Sequence, residues 1–360
     1  MSSIEFEEGT LKLTLQVIDK ALAKKIATRI QRDSSYPVHC LELLRCKFTR
    51  WKEVDETILK VIAEGNSSVH TVSLKFMELN RSVVKGLCDC LKAKKLHGLR
   101  LYNPALMEYG ANRGYDAIAN VLVDSDLVHL EVIDFNQIYD RVIKSLPLTL
   151  ESLRIAGYWY SDLKCLQNIL CYGKLGELVL EGGCQVGFSY RQDIDEFLGI
   201  LSRSTVEILR IANYDTLYRF LASDFPASLK EFHLLTSECT HARSVADMLL
   251  RQTNSRLRVF HIPFDMCWCS GKCELYTALV KVAQQLPSIH TIKSCSAWDD
   301  DLDDLIMMLH AQRVCEVLVS PSVIGRLSKG VHLPVDVLMF WLVPMMTGVN
   351  PWKRKQLLLL

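Results

Sequence analysis

The chain has 360 residues, 49% of them hydrophobic, and sets 42 Lys and Arg against 41 Asp and Glu for a formal net charge of +1. That neutrality argues against attraction to nucleic acid or to a membrane through bulk charge, so any electrostatic preference must be local. The apolar content is ample for a continuous core.

Residues 1–9 (MSSIEFEEG) are acidic and carry no basic start, apolar run or small-residue cleavage site, so no secretory signal is expected. Thirteen cysteines in such a chain read as reduced thiols, which places the protein in the cytoplasm or nucleus. Cys88, Cys165 and Cys171 sit where a small buried apolar side chain would serve.

In chain order, residues 11–17 (LKLTLQV) alternate as a strand, and 19–32 set Leu22, Ile26 and Ile30 on one helical face. Leu11 stands one repeat length before Val38, so 1–37 reads as an N-terminal capping unit. From there a hexapeptide, apolar-x-x-apolar-x-apolar, recurs. It starts at Val38, Val69, Leu96, Leu127, Leu150, Leu175, Val206, Leu229, Leu257, Ile289 and Val314. A recurring unit of this length means an array in which each unit buries its apolar face against its neighbours.

Each hexapeptide has strand spacing, and helical periodicity follows in most units. Val54, Ile58, Val61 and Ile62 share a face, as do Val83, Val84, Leu87 and Leu91. So do Leu163, Leu166, Ile169 and Leu170, and Leu275, Leu279, Val280 and Val282. Proline in Leu146-Pro147, Phe225-Pro226 and Leu286-Pro287 ends the helix and holds the chain extended before the next strand.

Strand, loop, helix and turn around an L-x-x-L-x-L core resemble the leucine-rich repeat family over 38–319, and the longer units are similar to ribonuclease-inhibitor-like and F-box-associated arrays. The resemblance implies an α/β solenoid, curved, with parallel strands on the concave face and helices on the convex face. The family's Asn or Cys, three residues after the last strand position, appears here only as Cys46. The solenoid is therefore expected to be irregular.

On this fold the fifth position of each hexapeptide points onto the concave face. It reads Glu42, Ser73, Arg100, Glu131, Arg154, Val179, Arg210, His233, His261, Lys293 and Leu318, with Tyr102, Ile133, Leu235 and Val259 flanking. Arg100, Tyr102, Arg154, Arg210, His233, His261 and Lys293 are the expected partner-binding residues, gripping an acidic segment of another protein. Glu177, Glu181 and Glu231 in adjacent columns stand ready to neutralise the arginines, which is the alternative reading of the same face. The expected function is a non-enzymatic scaffold or receptor with no catalytic residue, cofactor, nucleic-acid, membrane or small-molecule partner.

Other clusters are weaker. Asp299, Asp300, Asp301, Asp303 and Asp304 lack EF-hand spacing and suit the opening turn of a helix. Cys267, Cys269 and Cys273, with His261 nearby, offer soft ligands for zinc but lack a second spaced pair. G-x-S-x-G, Walker-A, H-E-x-x-H and G-x-G-x-x-G motifs are absent. His39, His70, His97 and His290 recur at the second hexapeptide position, which marks them as a feature of strand edges.

The stretch 320–360 loses the period and reads as a C-terminal cap or docking element. Within it 333–349 is apolar but broken by Pro334, Asp336 and Pro344, which opposes a membrane span. LPVDVLMFWL at 333–342 resembles the opening of an F-box, which would make Leu333, Pro334, Val337 and Leu338 adaptor-facing and the chain a substrate-recognition subunit of a cullin-type ubiquitin ligase. A proline-started capping helix accounts for the same residues.

Overall fold

The computed structural model of the chain describes residues 3–14, 16–31, 37–48, 55–76, 81–102, 111–133, 142–156, 166–181, 191–212, 223–234, 247–248, 250–251 and 256–262, and the strands within 291–297, 314–319, 338–342 and 356–358. It is mixed α/β, with strands that pair mostly in parallel. Packing divides the chain into two compact units, Met1–Asp193 and Ile194–Leu360.

In the first unit, strand β1 (Ser3–Glu7) runs antiparallel to β2 (Thr10–Thr14). From β2 onward the pairing is parallel through β4 (Cys40–Leu44), β6 (Thr71–Lys75), β7 (Gly98–Tyr102), β8 (His129–Ile133), β9 (Ser152–Ala156) and β10 (Glu177–Glu181). Two short strands, β3 (Val17–Ile18) and β5 (Lys47–Phe48), pair separately. The six hexapeptides from Val38 to Leu180 thus supply six adjacent parallel strands. Leu11 lies opposite Leu41 and not Val38, so the first strand joins in a different step from the one its spacing suggests.

Along the parallel pairing from β4 to β9 the strand pattern holds because the second and fourth residues of every strand are buried. Leu41, Leu43, Val72, Leu74, Leu99, Leu101, Leu130, Val132, Leu153 and Ile155 are all at most 4% exposed, and burying each such side chain contributes about 1.5–3 kcal/mol. Gly98 is required on β7, since a Cβ there would stand 2.6 Å from Thr71 Oγ1 on the next strand.

The helices of this unit are α1 (Lys20–Arg29), α2 (Lys60–Ala63, preceded by a π-helical turn over Asp55–Leu59), α3 (Arg81–Lys92), α4 (Ala111–Leu122) and α5 (Gln167–Tyr172). Asp19 caps α1, accepting from the Leu22 backbone N–H at 2.8 Å. The buried face of α1 is Ala23, Ile26, Ala27 and Ile30, with Leu22 only half-buried, a shift of one position from the expected stripe. In α3 the expected face of Val83, Val84, Leu87 and Leu91 is buried throughout. Cys88 is buried beside it, whereas Cys171 is exposed and corrects the expectation of an inward thiol. Cys40, Cys46, Cys88, Cys90 and Cys171 are all free thiols. Of the other expected helical faces, Ile58 and Ile62, and Leu166, Ile169 and Leu170, are buried; Val54, Leu163, Cys165, 267–290 and the acidic run at 299–304 lie outside the described residues.

Small hydroxyls stitch successive turns together. Ser68, Thr149 and Ser228 each precede a hexapeptide and donate to the carbonyl that opens the preceding one, at Val38, Leu127 and Val206 (2.9, 2.8 and 2.8 Å). Buried Ser67, Ser125 and Ser204, one residue earlier in their own units, donate to helix-end carbonyls of Ile30, Leu122 and Leu201 at 2.7 Å each. Cys46, whose position matches the family's Asn or Cys, donates its thiol to the Leu13 carbonyl of the neighbouring strand at 3.4 Å. These bonds satisfy backbone carbonyls that the turns leave unpaired. The expected proline turns also form: Leu150 N–H donates to Pro147 O and Leu229 N–H to Pro226 O.

Helix α6 (Arg191–Leu201), which belongs to the second unit from Ile194 onward, buries Phe197, Leu198 and Leu201. In the second unit parallel pairing runs through β11 (Ile208–Ala212), β12 (Glu231–Leu234), β13 (Val259–Ile262), β14 (Thr291–Ala297), β15 (Val314–Val319) and β16 (Leu338–Leu342). An antiparallel β17 (Gln356–Leu358) follows. Phe232 and Phe260, both fully buried, stack with centroids 5.9 Å apart, and Phe225 lies 4.8 Å from Phe232.

Two expectations are corrected here. Lys293 pairs with Glu316, in unbroken register from Thr291 opposite Val314, so Leu318 is not the next member of the column. The helix expected from Pro334, whether cap or F-box opening, is not what Leu338–Leu342 forms; that segment is a strand, with Val317 opposite Phe340 and Val319 opposite Leu342. Val337, Phe340 and Leu342 repeat the hexapeptide spacing, so the strand period runs past Val319. Leu333, Pro334 and Val337 lie outside the described residues. Among the described residues no helix is long and apolar enough to cross a membrane.

Candidate functional site

Residues that alternate with the buried positions fall into a line across the strands of the first unit. Lys12, Glu42, Ser73, Arg100, Glu131, Arg154 and Val179 are successive register partners. In the second unit Arg210, His233, His261 and Lys293 do the same. The column read from the hexapeptides is therefore a physical row within each unit.

From Glu42 to Arg154 the charges in the first row are paired. Lys75 Nζ lies 2.8 Å from Glu42 and 4.8 Å from the Tyr102 ring centroid. Arg100 Nε lies 3.1 Å from Glu131, while Arg154 Nη2 lies 3.0 Å from Glu181 and its Nη1 3.9 Å from Glu131. Tyr102 donates its hydroxyl to Glu131. Glu131 thus sits at the centre of a group that the strand spacing brings together: directly opposite Arg100 and Arg154, and within reach of Tyr102. Arg100 and Arg154 remain 42% and 36% exposed, so their guanidinium groups are pre-oriented but reachable.

The arginines are therefore compensated on the face itself. Of the glutamates expected to neutralise them, Glu181 does so directly, while Glu177 accepts from Ser152 Oγ at 2.9 Å and Glu231 turns to His233. Glu131 is the residue whose importance the column did not suggest, although its position between two arginines carried the signal.

No family model and no curated protein matches this sequence.

Burial raises the Tyr102 phenol pKa, and the Glu131 carboxylate that accepts its proton raises it further. Arg154 is raised too: burial opposes its charge, but the bond and charge of Glu181 and the charge of Glu131 outweigh that. Burial also pushes the Cys88 thiol up to about 11. Both Tyr102 and Cys88 hold their protons more tightly folded than unfolded, so their stabilisation is complete below the unfolded pKa and is lost as pH rises through the folded one. For Cys88 that window runs from the ordinary thiol value of 9.0 to about 11. The urea midpoint is expected to fall across it, and Cys88→Ala should flatten that part of the curve. An unchanged slope in the variant would exclude Cys88 as its source.

At the start of the strands His39 and His70 stack with centroids 5.5 Å apart, and His97 lies 6.0 Å beyond His70 with its ring tilted by 42°. Partial burial lowers the His70 pKa, as do the neighbouring His39, His97 and His129. Of the remaining expected site residues, Lys293 and Leu338 are placed by backbone register alone, on β14 and β16.

Proposed function

We propose that this chain is a leucine-rich-repeat-type solenoid serving as a non-enzymatic scaffold, and that it grips another protein across the open strand face around Arg100, Tyr102 and Arg154. The observation that carries this reading is the half-exposed Arg–Tyr group held in place by Glu131 and Glu181. Arginine and tyrosine are the residue types that concentrate binding energy at interfaces, and side chains already fixed lose less entropy on docking. Parallel strands joined one per unit, a free-thiol set and the Cys46 bond to a neighbouring carbonyl support the repeat reading and a reducing compartment.

Because the face is compensated, the segment that fits it best carries carboxylates for the two arginines beside basic groups for Glu131 and Glu181, rather than acid alone. The ligase-adaptor reading of 333–360 rests on a helical opening, and the strand Leu338–Leu342 does not support one.

Immobilised full-length chain is expected to capture its partner from native extract. Arg100→Ala combined with Arg154→Ala should weaken that capture about thirtyfold, the factor for losing roughly 2 kcal/mol at an interface hot spot. Substitution of the exposed Lys24 and Lys25 on α1 should leave it unchanged. Equal capture by both variants would sink the assignment of this face.

A further inference from the structure

Two histidines of the second unit face each other from adjacent strands. His233 on β12 and His261 on β13 are register partners. Their rings stand edge-on at 82°, with centroids 5.4 Å apart and the two Nδ1 atoms 3.3 Å apart. The other ring nitrogen of His233, Nε2, lies 3.1 Å from Glu231 Oε2. The His233 side chain is 12% exposed and that of Glu231 35%, so the group is shielded yet open to small solutes.

This geometry is poor for a hydrogen bond and good for a metal. N–H donors in proteins mostly lie about 2.9–3.0 Å from their acceptors, so 3.3 Å between nitrogens is a long, weak contact. Two imidazole nitrogens bound to one tetrahedral zinc, each about 2.0–2.1 Å from it, lie roughly 3.3–3.4 Å apart. The carboxylate is placed as metal-binding histidines require. By accepting the Nε2–H of His233 it directs the ring's lone pair to Nδ1, fixes the ring and raises its basicity.

We propose that Nδ1 of His233 and Nδ1 of His261 bind one divalent transition-metal ion of the zinc class, with Glu231 as the positioning residue. Imidazole donors suit zinc, copper or nickel, whereas calcium and magnesium take oxygen. Among the described residues no group of three or more His, Cys, Asp or Glu side chains is arranged around a common metal position, so the described residues supply two donors, His233 and His261. The site is independent of the partner-binding reading above.

The test is titration of the full-length chain with Zn2+ by calorimetry and with Co2+ by visible absorption. His233→Ala and His261→Ala should each abolish the same single equivalent of binding. Glu231→Ala should retain that equivalent with affinity lowered 10–100-fold. The combined Cys267→Ser, Cys269→Ser and Cys273→Ser variant should retain it at full strength, and the Co2+ spectrum should lack thiolate charge transfer. Identical stoichiometry in the wild type and both histidine variants would overturn the proposal, as would loss of the equivalent in the cysteine variant. Should a histidine variant fail to fold, the ring nitrogen resonances of the unmodified chain decide. Zn2+ should shift two Nδ1 signals together, and no shift on saturation would refute the site.

Discussion

Truncating Phe232 to alanine is expected to lower the unfolding free energy of the Ile194–Leu360 unit by about 3–5 kcal/mol, the range for removing an aromatic ring from a closed core. Phe232 is 0% exposed and lies between Phe225, at 4.8 Å, and Phe260, at 5.9 Å. Its register partners on either side, Leu209 and Phe260, are also fully buried, so collapse into the vacated space would pull two strands off their pairing. Urea denaturation should show the midpoint falling with the slope unchanged. Phe260→Ala should cost a similar amount, and the double variant should cost less than the sum, because one enlarged cavity replaces two separate ones. A loss below about 1 kcal/mol for Phe232→Ala would mean that the ring is not a packed wall between strands.

The parts of this fold that were legible in the sequence are those set by alternation. Leu153-x-Ile155 or Leu99-x-Leu101 needs no tertiary information to place one side inside, because a strand sends alternate side chains to opposite faces. Where a second rule competes, the reading failed. Pro334 suggests a helix start, which obscures the hexapeptide spacing of Val337, Phe340 and Leu342; Leu338–Leu342 pairs as a strand. At Lys293 the row continues to Glu316 and not to Leu318, because Thr291 already lies opposite Val314, a two-residue offset that hexapeptide spacing does not announce. The ladder of Ser and Thr hydroxyls was also missed. Ser68, Thr149 and Ser228 occupy the same position before the strand, whereas the family's Asn or Cys stands after it.

The candidate face was legible to a similar depth. The row Arg100, Glu131, Arg154 follows from register alone, and direct cross-strand neighbours of opposite charge attract. The Arg154–Glu181 pair does not follow, since Glu181 is two positions beyond Val179, the residue opposite Arg154. Only the length of the guanidinium side chain makes that diagonal contact. The row is thus cationic by position and neutralised once side chains extend across it.

Removing Glu131 should therefore disturb more than one partner. Glu131→Ala takes away the acceptor of the Tyr102 hydroxyl and the nearest carboxylate to Arg100 Nε. The arginine contribution is small, because Arg100 is 42% exposed and water screens its pair to below about 1 kcal/mol. The tyrosine contribution is larger, since a half-buried hydroxyl loses a charged acceptor, an interaction worth about 1.5–3 kcal/mol. A net loss of about 2 kcal/mol in unfolding free energy is expected, together with a fall of the Tyr102 phenol pKa back toward its ordinary value, read by ultraviolet titration. Tyr102→Phe isolates the bond, as it keeps the ring beneath Lys75 while deleting the hydroxyl. In the double-mutant cycle the two changes should couple by at least 1 kcal/mol, well outside the roughly 0.3–0.5 kcal/mol scatter of independent sites. If they add within that scatter, the phenol is as well satisfied by water as by Glu131. The Arg–Tyr group would then not be the pre-organised anchor that partner binding at this face requires.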